Sequence, residues 1–314
     1  ISLAEISALP MSGAGWTDVL AAAKAASGAT SLSNQDSDDS TKVKAAALIY
    51  ARTGESVYLA KVKKAITDLC TKNLESGSRA LALGRELIGY VLAADIVQLK
   101  TVDPDLDAKW RTKLAALLTY KTSQAGSLID CSLDRPNNWG GHSRASWLAA
   151  ALYLGDKAGA DRAVATLKGW MGDWNAYNGF TYGELDWQID KSKPIGVLPK
   201  GAKIQGYDVD GGQPEELRRV TFKIPPGYVV YTWEGLQGPI AAAEMAHRAG
   251  YTDIWDYCDK ALLRAVQFNY RRNWVAEGDD KWVVPIINRA YGTSFPVTGG
   301  GAGKNVGWTL WTHQ

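Results

Sequence analysis

The side chains whose types and spacing could do chemistry are asparagine, histidine, arginine and tyrosine. They are densest in Asn137-Asn138-Trp139-Gly140-Gly141-His142-Ser143-Arg144-Ala145-Ser146-Trp147. Gly140 and Gly141 carry no Cβ, so the backbone there can approach a neighbour closely, and the neighbour expected is an acidic sugar. This set suits β-elimination on a uronic acid polymer. The C5 proton of a uronate lies α to a carboxylate, and its removal builds charge onto that carboxylate. Asn, Arg or protonated His can stabilise the charge if preorganised. A His or an ionised Tyr takes the proton, and an acid, usually Tyr, protonates the departing glycosidic oxygen.

Asn137-Asn138 followed by His142 and an Ala-rich helix resembles the Asn-Asn-His segment of (α/α)-toroid polysaccharide lyases of the alginate lyase type, glucuronan-cleaving relatives included. The resemblance extends more loosely to Arg85 through Asp95, to Tyr231-Thr232-Trp233-Glu234-Gly235-Leu236-Gln237-Gly238, and to Tyr291 and the Trp308 to His313 segment. It implies that Asn138 binds the uronate carboxylate and that a tyrosine acts as base or acid. Tyr291 is the first choice, because Arg289 stands two residues away and could depress its pKa. Tyr231 is the second. In many such lyases the histidine directly follows the two asparagines, whereas here Trp139 takes that place and His142 comes three residues later. His142 is thus either the base or its support. Arg85, Asn137, Trp139, Arg144, Tyr231, Trp233, Glu234, Lys304, Trp308 and His313 complete the expected substrate-binding set.

Other readings of single residues compete with these. Asn138 could cap the following helix, Trp147 reads as core, and Glu234 as electrostatic capping of a helix start. The same scaffold could carry a glycoside hydrolase using two of Glu184, Asp186, Asp208, Asp210 and Glu234. A glycan-binding protein could use the tryptophans alone: 11 of the 13 lie at or after Trp139.

Standard signatures of other chemistries are missing. There is no GxGxxG after a strand, no P-loop, no GxSxG and no HExxH, and Gly299 to Lys304 lacks phosphate-loop spacing. Cys70, Cys131 and Cys258 stand far apart, open to one disulfide or none. Neither a metal nor a cofactor is expected. A formal charge of +2 is too small to imply nucleic acid, and no apolar run approaches the roughly 18 residues of a membrane span. The expected partner is an acidic polysaccharide bound by a monomer. A first residue other than Met reads as a mature form, hence a secreted or periplasmic protein.

The elements that must position these residues read as helices throughout. Apolar residues recur at helical spacing in Ser56–Lys72 and Arg79–Leu99, and Arg85 points toward the apolar side of the latter. Further helices are expected at Trp16–Ala26, Lys42–Arg52, Asp105–Tyr120, Ser143–Tyr153, Ala158–Trp174, Trp233–Arg248 and Asp253–Asn273. Single glycines at 54, 155 and 250 join helix to helix, describing stacked hairpins closed into an (α/α) toroid as one domain, residues 1–314. Residues 180–231 hold five prolines and cannot be regular helix. From Lys191 to Lys223, seven Lys or Arg face four Asp or Glu. This insertion reads as a basic flap over a cleft, and the segment from Val283 as irregular.

Overall fold

The computed structural model describes residues 1–73, 78–297 and 306–314 of the chain. Lys304 and the glycine run before it lie outside the described residues. The fold is all-α. Among the described residues fifteen α-helices follow in order: α1 (Leu3–Ala8), α2 (Gly13–Ala25), α3 (Asp39–Thr53), α4 (Ser56–Thr71), α5 (Ala80–Ile96), α6 (Leu99–Val102), α7 (Pro104–Thr119), α8 (Leu128–Asp134), α9 (Asn138–Leu154), α10 (Lys157–Met171), α11 (Pro214–Leu217), α12 (Tyr231–Arg248), α13 (Tyr257–Tyr270), α14 (Val283–Tyr291) and α15 (Thr309–Thr312). One two-residue hairpin pairs Lys203 with Asp208 and Ile204 with Tyr207.

The boundaries follow local chemistry. Gly54 and Gly155 end α3 and α9 in the left-handed conformation, and Pro104 opens α7 behind an Asp103 cap. Helices α8, α11, α14 and α15 lie where irregular chain was expected. Helix α8 starts on a Ser127–Asp130 capping box, and α14 tolerates Pro285 because first-turn amides have no intrahelical acceptor to lose. Helix α9 also begins five residues earlier than the expected Ser143.

Neighbouring helices pack in a closed succession: α2 on α3, then α5, α9, α12, α14, α15 and back to α2. Helices α4, α7, α10 and α13 lie outside them. Such a succession accords with the expected ring of hairpins. Helices α5, α9 and α12 are nearly continuous buried runs, the pattern of inner elements covered on all sides.

These inner helices meet backbone to backbone. A Cβ on Gly238 of α12 would lie 2.1 Å from the carbonyl carbon of Gly141 of α9, and one on Gly84 of α5 would lie 2.9 Å from the Ser143 nitrogen. A Cβ on Gly140 would lie 1.7 Å from the Arg135 carbonyl oxygen. The glycines of the opening motif therefore admit neighbouring protein backbone, and the sugar expected there is displaced by helix packing.

The insertion is irregular, as expected, with its own small core of Trp187, Leu198, Val209, Leu217, Phe268 and Trp274. It is fastened to α13 by Arg264, which donates to the Leu198 carbonyl at 2.6 Å and pairs with Asp210 at 2.7 Å. The same guanidinium holds the Cys258 and Asp259 carbonyls at 2.9 Å, where three residues, Cys258 to Lys260, take left-handed φ angles. The three cysteines are free.

Because a Cβ at Gly238 meets backbone that cannot rotate away, Gly238→Ala is expected to cost about 2 kcal/mol or more by overpacking. Gly227→Ala, with nothing within 4 Å of the added carbon, is expected to be near neutral. Urea unfolding of the two variants checks this, and matching midpoints would dismiss the close helix contact.

Candidate active site

The first turns of α9 and α12 and the second turn of α5 come together at one end of the helices, and α11 of the insertion closes over them. Asn137 takes the cap, its Oδ1 accepting from the Trp139 amide at 3.1 Å. Asn138 also accepts from that Trp139 amide through its Oδ1, at 3.0 Å. Its backbone N–H donates to Glu216 Oε1 at 2.6 Å, its Nδ2 donates to Glu234 Oε2 at 3.0 Å, and its Oδ1 accepts from Arg219 Nη2 at 3.4 Å. A carboxylate on one side and a guanidinium on the other fix which way the amide points, since Glu234 can only accept and Arg219 can only donate.

Behind the amide, Arg85 donates to the same Glu234 oxygen at 2.7 Å, so the charge that pointed toward the apolar face is paired inside the fold. Asp280, preceding α14, accepts from Gln237 at 2.6 Å, and burial pushes its carboxyl up to about 7. Burial likewise pushes Glu216 up to about 7, against the pull of Arg219, whose Nε lies 3.2 Å from its carboxylate. The Arg219 guanidinium also sits over the Tyr231 ring, 4.3 Å from the centroid. Beside this cluster lies a cleft of about 760 Å³ lined by Arg135, Asn137, Trp139, Arg218, Arg219 and Tyr231, together with Gln124 and Ala125; Asn138, 2% exposed, is not among its lining residues. No carboxylate is among the described residues lining it. Of the carboxylates considered for a hydrolase, Asp186 pairs with Lys191, Asp208 lies near Arg271 and Asp210 pairs with Arg264, whereas Glu234 belongs to the cluster itself.

Of the residues singled out in the sequence, Arg85, Asn137, Asn138, Trp139, Tyr231 and Glu234 are brought together here. Others are not. His142 lies one turn past Asn138, 1% exposed between helices whose contact its own backbone helps to make. It is not among the residues lining the cleft. Arg144 is fully buried on α9. Trp233 and Trp308 are core, their indole N–H groups donating to the Trp274 carbonyl at 3.0 Å and the Thr41 carbonyl at 2.8 Å.

Tyr291, Arg289 and His313 line a different cavity, of about 1070 Å³, at the other end of the inner helices. This larger cavity is formed by the last turns of α5, α9 and α12, whose first turns carry the amide cluster. Tyr291 donates to the Trp255 carbonyl at 2.5 Å, and burial pushes its phenol far above the usual range. Arg289 does not lower it: that guanidinium pairs with Glu5. His313 bonds Thr312 at 2.8 Å and faces Glu244 at 3.4 Å. Of the two tyrosines, Tyr231 shares a cleft with Asn137 and Arg219 and Tyr291 does not.

Sequence reasoning missed Glu216, Arg218, Arg219 and Arg135. The signal was the run Pro214-Glu215-Glu216-Leu217-Arg218-Arg219, a proline-opened turn with acids first and bases last inside a stretch otherwise hostile to helix. Among the described residues no group of three or more His, Cys, Asp or Glu is placed to hold a metal ion, and no helix is long and apolar enough to cross a membrane. No protein-family model matches the chain, and neither does any curated protein.

Glu216 binds its proton more tightly folded than unfolded. Its contribution to stability is thus complete below the ordinary carboxylate range, near 4.5, and is lost as pH rises through about 7. Between pH 4.5 and 8 the wild type is expected to lose more stability than Glu216→Gln, by up to roughly 3 kcal/mol, since each tenfold change in proton affinity corresponds to about 1.4 kcal/mol. Urea unfolding of both proteins across that range measures the difference. Parallel curves would show that Glu216 titrates as an ordinary carboxylate.

Proposed function

We propose that the protein is a polysaccharide lyase that cleaves a uronic acid polymer, of the polymannuronate or glucuronan kind, by β-elimination in the cleft beside the Asn138 cluster. The observation that carries this reading is the Asn138 amide, held between Glu234 and Arg219 while Arg219 also covers the Tyr231 ring. An amide, a cation and a phenol thereby stand together beside a cleft walled by three arginines.

The uronate carboxylate sits against Asn138 and Arg219, which stabilise the charge that grows on it as the C5–H bond breaks. Tyr231, whose ring lies under the Arg219 guanidinium, is the base that takes the C5 proton. The electron pair forms the C4–C5 double bond and the C4–O bond breaks. The departing oxygen takes back the proton from Tyr231, so that one group serves both steps on one face of the sugar. Glu234 and Arg85 are positioning residues: Glu234 aims the amide, and Arg85 neutralises Glu234 so that the cluster does not repel an anionic sugar. Trp139, half-buried at the cleft wall, offers a ring face to a sugar.

The absence of carboxylates from the described cleft lining favours elimination over hydrolysis by paired acids. The arginine wall favours an acidic polymer over a neutral one. A polymer substrate fits the proposed secreted or periplasmic location of a monomer.

Incubation with polymannuronate, polyguluronate, glucuronan and hyaluronan, followed by ultraviolet absorbance, is expected to show an unsaturated sugar end on at least one polymer. New reducing ends without absorbance would make it a hydrolase, and an intact polymer a binder. Asn138→Ala and Tyr231→Phe are each expected to lower kcat at least about 100-fold with helical circular dichroism unchanged. Tyr291→Phe, at the far cavity, is expected to retain wild-type turnover.

A further inference from the structure

Arg144 is the most completely buried cation of α9, and among the described residues its charge has no acid partner. Its side chain is fully enclosed. Nη2 donates to the Ser132 carbonyl at 3.3 Å, while Nε and Nη1 find no acceptor among the described residues. The groups that act on its charge are Tyr182, Tyr177 and Cys131, with no carboxylate among them. Burial keeps all three neutral, the Cys131 thiol rising to about 11 and both phenols above their usual range. The guanidinium stands 5.3 Å from the Phe180 ring, which packs edge-on against Tyr177 at 4.9 Å and Tyr182 at 6.1 Å. The Tyr182 hydroxyl and the Ser132 hydroxyl are buried without partners as well.

An isolated buried charge costs several kcal/mol unless it is paired. Water can accept from a guanidinium but cannot neutralise it. A small anion does both, and it accepts from hydroxyl groups too. We infer that Arg144, with the Tyr182 and Ser132 hydroxyls, forms an internal site for a small monovalent anion of the halide kind. The site joins three pieces of chain: α8 through Ser132, α9 through Arg144, and the entry to the insertion through Tyr182. The same entry segment is held by the Thr181 amide donating to the Asp134 carbonyl at 2.8 Å and by the Gly183 amide donating to Glu215 at 3.2 Å. A bound halide would therefore brace the root of the insertion that delivers Arg218 and Arg219. The inference stands on the burial of Arg144 and not on the lyase reading.

Thermal unfolding in sodium chloride or bromide against sodium gluconate at equal ionic strength tests it, with anomalous diffraction from crystals grown in bromide. The expected result is a Tm that rises with halide concentration and saturates, and a bromide peak between Arg144 and Tyr182. Arg144→Met is expected to abolish the halide dependence. If that variant fails to fold, Tyr182→Phe decides: loss of one donor should raise the half-saturating halide concentration roughly tenfold. An unchanged midpoint in Tyr182→Phe, equal Tm values of the wild type in both salts, or a peak that bromide does not replace would each overturn the anion site.

Discussion

Contact between glycine backbones sets the distances on which the site depends. Helices α9 and α12 lie so close at Gly141 and Gly238 that no side chain separates them, and α5 reaches α9 in the same way at Gly84. Long residues projecting from their first turns must then share a small volume. Arg85, Asn138 and Glu234 accordingly fall within hydrogen-bond range although 149 positions separate the first from the last. Larger residues at the crossing would pry the helices apart and open the cluster without touching any of its members.

The charges at that end are arranged to hold a neutral amide still. Pairing Arg85 with Glu234 inside the fold contributes little net stability, since desolvation consumes most of the attraction. What it contributes is orientation. Glu234 faces the Asn138 NH₂ group, Arg219 faces its carbonyl oxygen, and Glu216 holds the backbone beneath. Two acids with carboxyls near neutrality, Glu216 and Asp280, border the cluster, so its electrical balance shifts within the pH range where proteins commonly work.

The helices were legible because their signals are local: a glycine after α3, a proline opening α7, apolar residues at helical spacing in α4. The helices missed, α1, α6, α8, α11, α14 and α15, are short, and α14 contains a proline whose tolerance depends on its place in the first turn. Half of the site was legible for the same reason, since Asn137, Asn138 and Trp139 are contiguous. Partner choice was not. Tyr291 and Tyr231 each have an arginine within reach in sequence or space, and only the fold shows that Arg289 turns to Glu5 while Arg219 lies on Tyr231. The glycines mark points of close approach, but sequence does not say what approaches.

The shared direction of α5, α9 and α12 makes the molecule electrically lopsided in a way that its formal charge of +2 conceals. Peptide dipoles add along each helix, leaving a partial positive charge at every first turn and a negative one at every last turn. Three positive ends meet beside Arg135, Arg218 and Arg219, whereas at the far cavity the carbonyl ends, Glu5 and Glu244 offset Arg248 and Arg289. A long polyanion diffusing nearby experiences a torque as well as an attraction, and meets the protein mouth first. Added salt shortens the range of that field to about 8 Å at physiological ionic strength, so such guidance acts only over the last steps of approach.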